Sequence, residues 1–154
     1  MSRLLVLSGF FASLITAYIA KPYFEAMLQE LGKEHFQLLK KKLSDIGTDV
    51  IKKRRIEPTF VATPGKISGN NPYSHAFSIM VDSSSGFVFQ LLIPKYSEDY
   101  DYQRLIDTFM DFINDYHLGL LPNFEVTTRQ IVSGRVFVYF SEQSGQIEIA
   151  QFKP

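Results

Sequence analysis

The hydrophobic and polar positions of this chain follow two different periods. Up to about residue 57, apolar residues recur at three- and four-residue steps or form an unbroken run, which is typical of helices. From residue 58 onward, apolar and polar residues alternate in short segments separated by turn residues, which is typical of strands. We therefore predict an N-terminal helical region over residues 1–57 and an α+β domain over residues 58–154.

The apolar run Leu4–Ala20 has 17 consecutive residues without a charge, between Arg3 and Lys21. As a helix it would measure about 25 Å, against about 30 Å for the hydrocarbon core of a bilayer. Three interpretations stay open: a membrane-spanning helix, a helix buried in the core or in a dimer interface, and a cleaved signal peptide. Small residues at four-residue spacing favour close helix packing, whereas the bulky Tyr18 disfavours signal-peptide cleavage after it.

Residues from about 23 to 50 predict a second, amphipathic helix. Phe36, Leu39 and Leu43 fall at three- and four-residue steps, so they form one apolar stripe opposite the lysines. We expect Gly47 to end or bend this helix, because glycine is a poor helix former.

The second helix and the residues after it are basic. From Lys33 to Arg55 there are eight basic and three acidic residues. Such a surface would be attracted to anionic lipid or to an acidic partner, and a solvated helix face is the alternative interpretation. The basic residues that we assign to this candidate surface are Lys40, Lys41, Lys42, Lys52, Lys53, Arg54 and Arg55.

Beyond residue 58 the pattern predicts six strands and one long helix, in the order βββ-α-βββ. Connections of hairpin length indicate a mostly antiparallel sheet packed on the long helix. The third strand is apolar on both faces, so we expect the Leu39/Leu43 helix or a second subunit to cover the sheet face opposite the long helix. The predicted strands are 59–63, 75–82, 86–94, 124–132, 135–141 and 146–152, and the long helix is 97–117.

The loop 64–75 is the segment in which we expect a ligand to bind. It is rich in glycine, proline, asparagine and serine, and long loops often carry function. It is not a P-loop, because Lys66 is followed by Ile67 and then by a strand rather than by Ser or Thr and a helix. The candidate ligand-binding residues are Lys66, Asn70, Asn71, Tyr73 and His75.

The residue types give no pattern for catalysis, for a metal or for a cofactor. The chain has no cysteine, which excludes disulfides and cysteine-based zinc sites. The three histidines do not stand at metal-ligand spacing, and no G-x-S-x-G nucleophile elbow occurs. Three aspartates, Asp107, Asp111 and Asp115, share one helix face, which we interpret as a solvated face.

We therefore expect a small, non-enzymatic binding or sensing domain, tethered to a membrane by its N-terminal helix. The basic residues after that helix would place residues 22–154 in the cytoplasm. The alternative is a soluble homo-oligomer whose N-terminal helix lies in the core or the subunit interface. Self-association and an unidentified protein or small-molecule partner are expected. Nucleic acid is disfavoured, because residues 58–154 contain ten acidic and six basic residues.

Overall fold

The computed structural model describes residues 4–8, 15–26, 32–53 and 72–151. These residues form six strands and three α-helices, and one turn of 3₁₀-helix lies at Thr128–Gln130. The chain is therefore α+β, as predicted. The elements in chain order are β1 (Leu4–Ser8), β2 (Ile15–Ile19), α1 (Lys21–Ala26), α2 (Gly32–Lys53), β3 (Phe77–Asp82), β4 (Val88–Leu91), α3 (Tyr102–His117), β5 (Arg135–Ser141) and β6 (Gln146–Ile149).

The six strands form one mixed sheet in the order β1-β2-β3-β4-β5-β6. The pairs β1–β2, β3–β4 and β5–β6 are antiparallel, whereas β2–β3 and β4–β5 are parallel. The predicted order βββ-α-βββ and the mostly antiparallel sheet are therefore wrong. The physical reason is the helical connections: the chain passes through α1 and α2 between β2 and β3, and through α3 between β4 and β5, so each time it re-enters the sheet in the same direction.

The uncharged run Leu4–Ala20 contributes two strands and not a helix, so both helical interpretations of it are wrong. β1 and β2 pair with Leu4 opposite Ile19, and β2 also pairs with β3, with Ala17 opposite Ile79. The backbone of β2 is thus hydrogen-bonded on both sides, which suits a run with apolar residues at nearly every position. Within the described residues, no helix combines the length and the apolar character needed to cross a membrane.

Helix α2 begins at Gly32 and continues through Gly47 to Lys53, so it does not end at Gly47, whereas a bend there stays a prediction. The lack of a side chain at Gly47 lets α2 approach the sheet and α3 together. A Cβ atom there would lie 2.9 Å from Cε2 of Phe77 and 3.1 Å from Cδ1 of Ile106. Gly47 therefore marks the point at which α2, α3 and β3 meet.

Helices α2 and α3 lie on the same face of the sheet. The buried strand residues include Phe77, Phe89 and Val136. Gly47 of α2 faces both Phe77 of β3 and Ile106 of α3, since a Cβ atom built on it would meet both side chains. The prediction that the Leu39/Leu43 helix covers the opposite face is therefore wrong. The helices instead share the core, because each presents one apolar stripe. The predicted boundary at residue 57 lies between β2 and β3, two strands of the same sheet.

Three further strand predictions have different outcomes. Residues 124–132 form no strand but a loop with the 3₁₀ turn, where Oε1 of Gln130 accepts a hydrogen bond from the backbone N–H of Thr127 at 2.8 Å. The apolar residues of this loop still fill the core, since the rings of Phe124 and Phe112 are 5.2 Å apart. The predicted strand 135–141 is confirmed as β5, whereas segment 59–63 lies outside the described residues.

Candidate binding groove

A groove of about 460 Å³ lies between the second half of α2 and the start of α3. Its lining mixes polar and apolar surface, with carboxylates, hydroxyls, an amide, a lysine and two tyrosines. The residues that line the groove are Ser44, Asp45, Thr48, Asp49 and Lys52 on one side and Tyr100, Asp101, Tyr102 and Gln103 on the other.

The α2 wall presents two carboxylates one helical turn apart. Asp45 lies 3.7 Å from Nζ of Lys41, and Asp49 lies 3.1 Å from Nζ of Lys53. The side chains of both aspartates are more than 60 % exposed, and exposed ion pairs of this kind contribute roughly 0.2–1 kcal/mol. The carboxylates can therefore exchange these lysines for a ligand at little cost.

The α3 wall is held in place by hydrogen bonds. Asp101 caps α3, because its Oδ1 accepts a hydrogen bond from the backbone N–H of Arg104 at 2.9 Å. The hydroxyl of Tyr102 donates to the carbonyl oxygen of Lys95 at 2.7 Å and accepts from the N–H of Ser97 at 3.1 Å. The predicted helix 97–117 thus begins later, at Tyr102, and the segment before it is fixed by that tyrosine.

Tyr100 adds a neutral aromatic ring to the groove. Its ring centroid lies 4.9 Å from that of Tyr102, and the residue is half-buried. Burial raises the pKa of Tyr100 to about 12, and the nearby Glu142 carboxylate acts in the same direction. The hydroxyl therefore stays protonated at neutral pH, and the carboxylates of the described lining residues are those of Asp45, Asp49 and Asp101.

The predicted ligand-binding loop reaches the neighbourhood of this wall only at its end. Tyr73 forms an isolated bridge with Pro94, burial and the neighbouring Tyr139 raise its pKa, and it is also close enough to Tyr100 to raise the pKa of that tyrosine. His75 is exposed. The other three predicted residues, Lys66, Asn70 and Asn71, lie outside the described residues, so the loop as a ligand site stays a prediction.

The seven predicted basic residues occupy different environments. Lys40 is buried between α2 and α3, with Nζ 2.9 Å from Oδ1 of Asp111 and 5.4 Å from the ring centroid of Phe36. Asp111 therefore belongs to the interface between the helices and not only to a solvated face. Arg54 and Arg55 lie outside the described residues. The exposed members are Lys41, Lys42, Lys52 and Lys53.

A second polar cluster fastens α1 to the end of β3. The Asp82 carboxylate accepts hydrogen bonds from the hydroxyl of Tyr18 and from the backbone N–H of Lys21, the latter at 2.9 Å. Nε2 of His117 donates to the Asp82 carbonyl oxygen at 2.9 Å, and the His117 ring stacks on Phe24 with centroids 4.1 Å apart. These contacts join β2, α1, β3 and α3, so the cluster has a structural role.

The His117 contact predicts a pH-dependent stability. Burial, with Lys21 acting in the same direction, lowers the pKa of His117 below 6.5, although the Asp82 carbonyl and the Asp82 and Glu25 carboxylates oppose this. The folded protein then binds fewer protons than the unfolded chain, so stability falls as the pH drops below 6.5 towards the folded-state pKa. We expect His117→Gln, which keeps an N–H donor, to flatten the pH dependence of the free energy of unfolding between pH 5 and 6.5. Urea titrations at several pH values measure this, and an unchanged slope would contradict it.

Neither wall of the groove is recognisable in the sequence as a binding site. Asp45 and Asp49 are two of the three acidic residues in the basic stretch Lys33–Arg55, and Asp101 lies in the first turn of the predicted helix 97–117. The usable signal is the polar stripe Ser44–Asp45–Thr48–Asp49, which repeats at four-residue spacing beside the apolar stripe.

The described residues contain no group of three or more histidine, aspartate or glutamate side chains that could hold a metal ion. Comparisons of the chain with models of known protein families, with curated proteins and with solved structures found no match.

Proposed function

We propose that this chain is a binding domain and that the groove between α2 and α3 receives an extended segment of a partner protein. The observation that carries the proposal is the groove itself: about 460 Å³ bounded by two walls whose positions are set by the fold. The α2 wall belongs to a continuous helix, and the Asp101 cap and the Tyr102 hydrogen bonds fix the other wall. A site that is ordered before binding loses less entropy when it binds.

The residue types in the groove favour protein recognition. Tyrosine is enriched in protein interfaces because it offers a large contact area with few rotatable bonds. Tyr100 is half-buried in the groove, with its ring supported 4.9 Å from that of the buried Tyr102. Exposed carboxylates beside them can accept hydrogen bonds from a partner backbone or side chain. Peptides in an extended conformation commonly bind along aromatic-lined grooves.

The chemistry of the lining favours binding over catalysis. General acid–base catalysis at neutral pH needs a group whose pKa lies near 7. The pKa of Tyr100 shifts in the opposite direction, to about 12, and the described lining residues include no histidine. Among these residues, Ser44 and Thr48 therefore have no imidazole base beside them.

Two predictions from the sequence, self-association and a cytoplasmic location, are independent of the groove. Self-association, which would make the chain a homo-oligomeric binding protein, stays a prediction that sedimentation velocity can measure. The cytoplasmic location also stays a prediction. The predicted membrane tether by an N-terminal helix is wrong, because the described residues of that segment form the strands β1 and β2.

Peptide titration of the full chain tests the proposal. Blocked pentapeptides Gly-Gly-X-Gly-Gly, with X covering the amino acids, would be added to ¹⁵N-labelled protein and amide shifts recorded. We expect at least one peptide to perturb amides of residues 44–49 and 100–103 in a saturable manner at millimolar concentration. The proposal is overturned if no peptide perturbs these residues, or if all perturbations map elsewhere on the chain.

A further inference from the structure

The geometry points to a basic side chain, arginine or lysine, as the group of the partner segment that the groove recognises; this inference rests on the function proposed above. The first argument is charge complementarity. The described lining residues contribute the carboxylates of Asp45, Asp49 and Asp101 and the ammonium group of Lys52. Lys41 and Lys53 pair with Asp45 and Asp49 from outside the lining, so a cationic ligand gains its contacts by displacing these two exposed lysines.

The spacing of the carboxylates suits a donor with several N–H groups. Asp45 and Asp49 are one turn apart on α2, so their Cβ atoms are about 5–6 Å apart. A guanidinium group has five N–H donors in a planar fork and can reach acceptors at this separation. The present partners, Lys41 and Lys53, are exposed, so a ligand displaces only weak ion pairs.

The border of the groove nearest the core supplies a further acceptor. Ser44 lines the groove although it is only 4 % exposed. Within the described part of the chain, its hydroxyl makes no hydrogen bond to another residue. A buried hydroxyl is more stable with a partner, and an N–H donor from a ligand provides one.

The aromatic wall completes the recognition of a cation. Lysine and arginine groups are attracted to the face of an aromatic ring within about 6 Å. Tyr100 offers such a ring in its neutral form, since its pKa is about 12. The chain uses the same contact elsewhere, where the guanidinium carbon of Arg104 lies 4.7 Å from the ring centroid of Phe140.

The pentapeptides with X as Arg, Lys, Gln and Glu test this inference. We expect the Arg and Lys peptides to bind with a Kd at least about fivefold lower than that of the Gln peptide, and the Glu peptide to bind most weakly. The difference in Kd between the Arg and Gln peptides should shrink as the salt concentration is raised. In the double variant Asp45→Asn/Asp49→Asn, the Kd of the Arg peptide should rise roughly 3- to 10-fold. Glu34→Gln, on the same helix but outside the groove, is the control and should leave the Kd unchanged.

The outcomes separate the inference from the proposed function. Equal or tighter groove binding of the Gln or Glu peptide overturns the inference and leaves the binding function standing, whereas absence of groove binding by every peptide overturns both. Spermidine binding in the groove more tightly than the Arg peptide would overturn the assignment of the cation to a protein partner. Thermal melts establish that both variants are folded, and an unchanged Kd in the folded double variant counts against the inference.

Discussion

Replacement of Phe89 by alanine is expected to lower the free energy of unfolding by about 4 kcal/mol, within the range for buried Phe→Ala changes. Phe89 is fully buried on β4, and the rings of Phe87, Phe112 and Tyr116 lie 5.1, 5.6 and 5.0 Å from its centroid. Alanine would leave a cavity lined by rigid aromatic rings that cannot collapse into it. Urea unfolding followed by circular dichroism measures the change.

The neighbouring residue provides the control for this variant. Val88 is half-buried and points to the other face of the sheet, so Val88→Ala should lower the free energy of unfolding by no more than about 1 kcal/mol. If Phe89→Ala and Val88→Ala had similar effects, the aromatic cluster could not be the centre of the core.

Replacement of Gly47 by leucine should lower the free energy of unfolding by about 3 kcal/mol, at the upper end for overpacking. A Cβ atom alone would lie 2.9 Å from the ring of Phe77 and 3.1 Å from Ile106, and both of these side chains are buried. Leucine would therefore force α2 away from β3 and α3. Alanine is a less decisive change, because its better helix propensity, about 1 kcal/mol, opposes the steric effect.

The control for Gly47→Leu is Gln37→Leu, which adds leucine at an exposed position of the same helix. We expect its effect on the free energy of unfolding to stay within about 0.5 kcal/mol. A Gly47→Leu protein as stable as Gln37→Leu would contradict the close approach of α2 to the sheet. Displacement of α2 should also widen the groove, so Gly47→Leu should weaken any peptide binding there.

Local patterns predict the elements of this fold well where one period dominates. Residues 135–139 alternate between buried and accessible positions along β5, as the alternation of the predicted strand 135–141 requires. Helix α3 also follows its apolar stripe, but it begins at Tyr102 and not at the predicted residue 97. Ser97 and Asp101 are both residue types that commonly cap helices, so the sequence does not distinguish the two starts. In this segment the side chain of Asp101 makes the cap.

The N-terminal run could not be assigned from its composition. A continuous apolar segment is compatible with a buried strand or a buried helix, because periodicity does not distinguish them when nearly every position is apolar. The deciding factor is tertiary: β2 has β1 on one side and β3 on the other. Segment 124–132 shows the converse error, since its apolar residues pack on the core from a loop.

The groove could not be predicted for a related reason. Its walls come from residues 44–52 and 100–103, which are distant in sequence and meet only because both helical connections return on the same face of the sheet. Each wall by itself resembles an ordinary solvated segment. Parallel pairing between β2 and β3 is the feature that brings α2 to this face, and the groove depends on it.

A disulfide cross-link between β2 and β3 tests that parallel pairing most directly. Thr16 and Ser78 are partners in the register of the two strands, and both are half-buried. The chain contains no cysteine, so Thr16→Cys/Ser78→Cys would carry a single pair, at a Cα separation compatible with a disulfide. As a control, Thr16→Cys/Gln90→Cys places the second cysteine one strand further away, on β4 opposite Met80, so its Cα lies more than two strand spacings, about 10 Å, from that of Thr16.

Mild oxidation of the folded protein, followed by mass spectrometry of tryptic peptides, measures the rate and extent of disulfide formation in each variant. The parallel β2–β3 pairing predicts rapid and nearly complete cross-linking of the Thr16/Ser78 pair, with native circular dichroism, and little cross-linking of the Thr16/Gln90 pair. A folded Thr16/Ser78 variant that fails to cross-link, or that cross-links no faster than the control, would contradict the pairing and with it the placement of α2 that forms the groove.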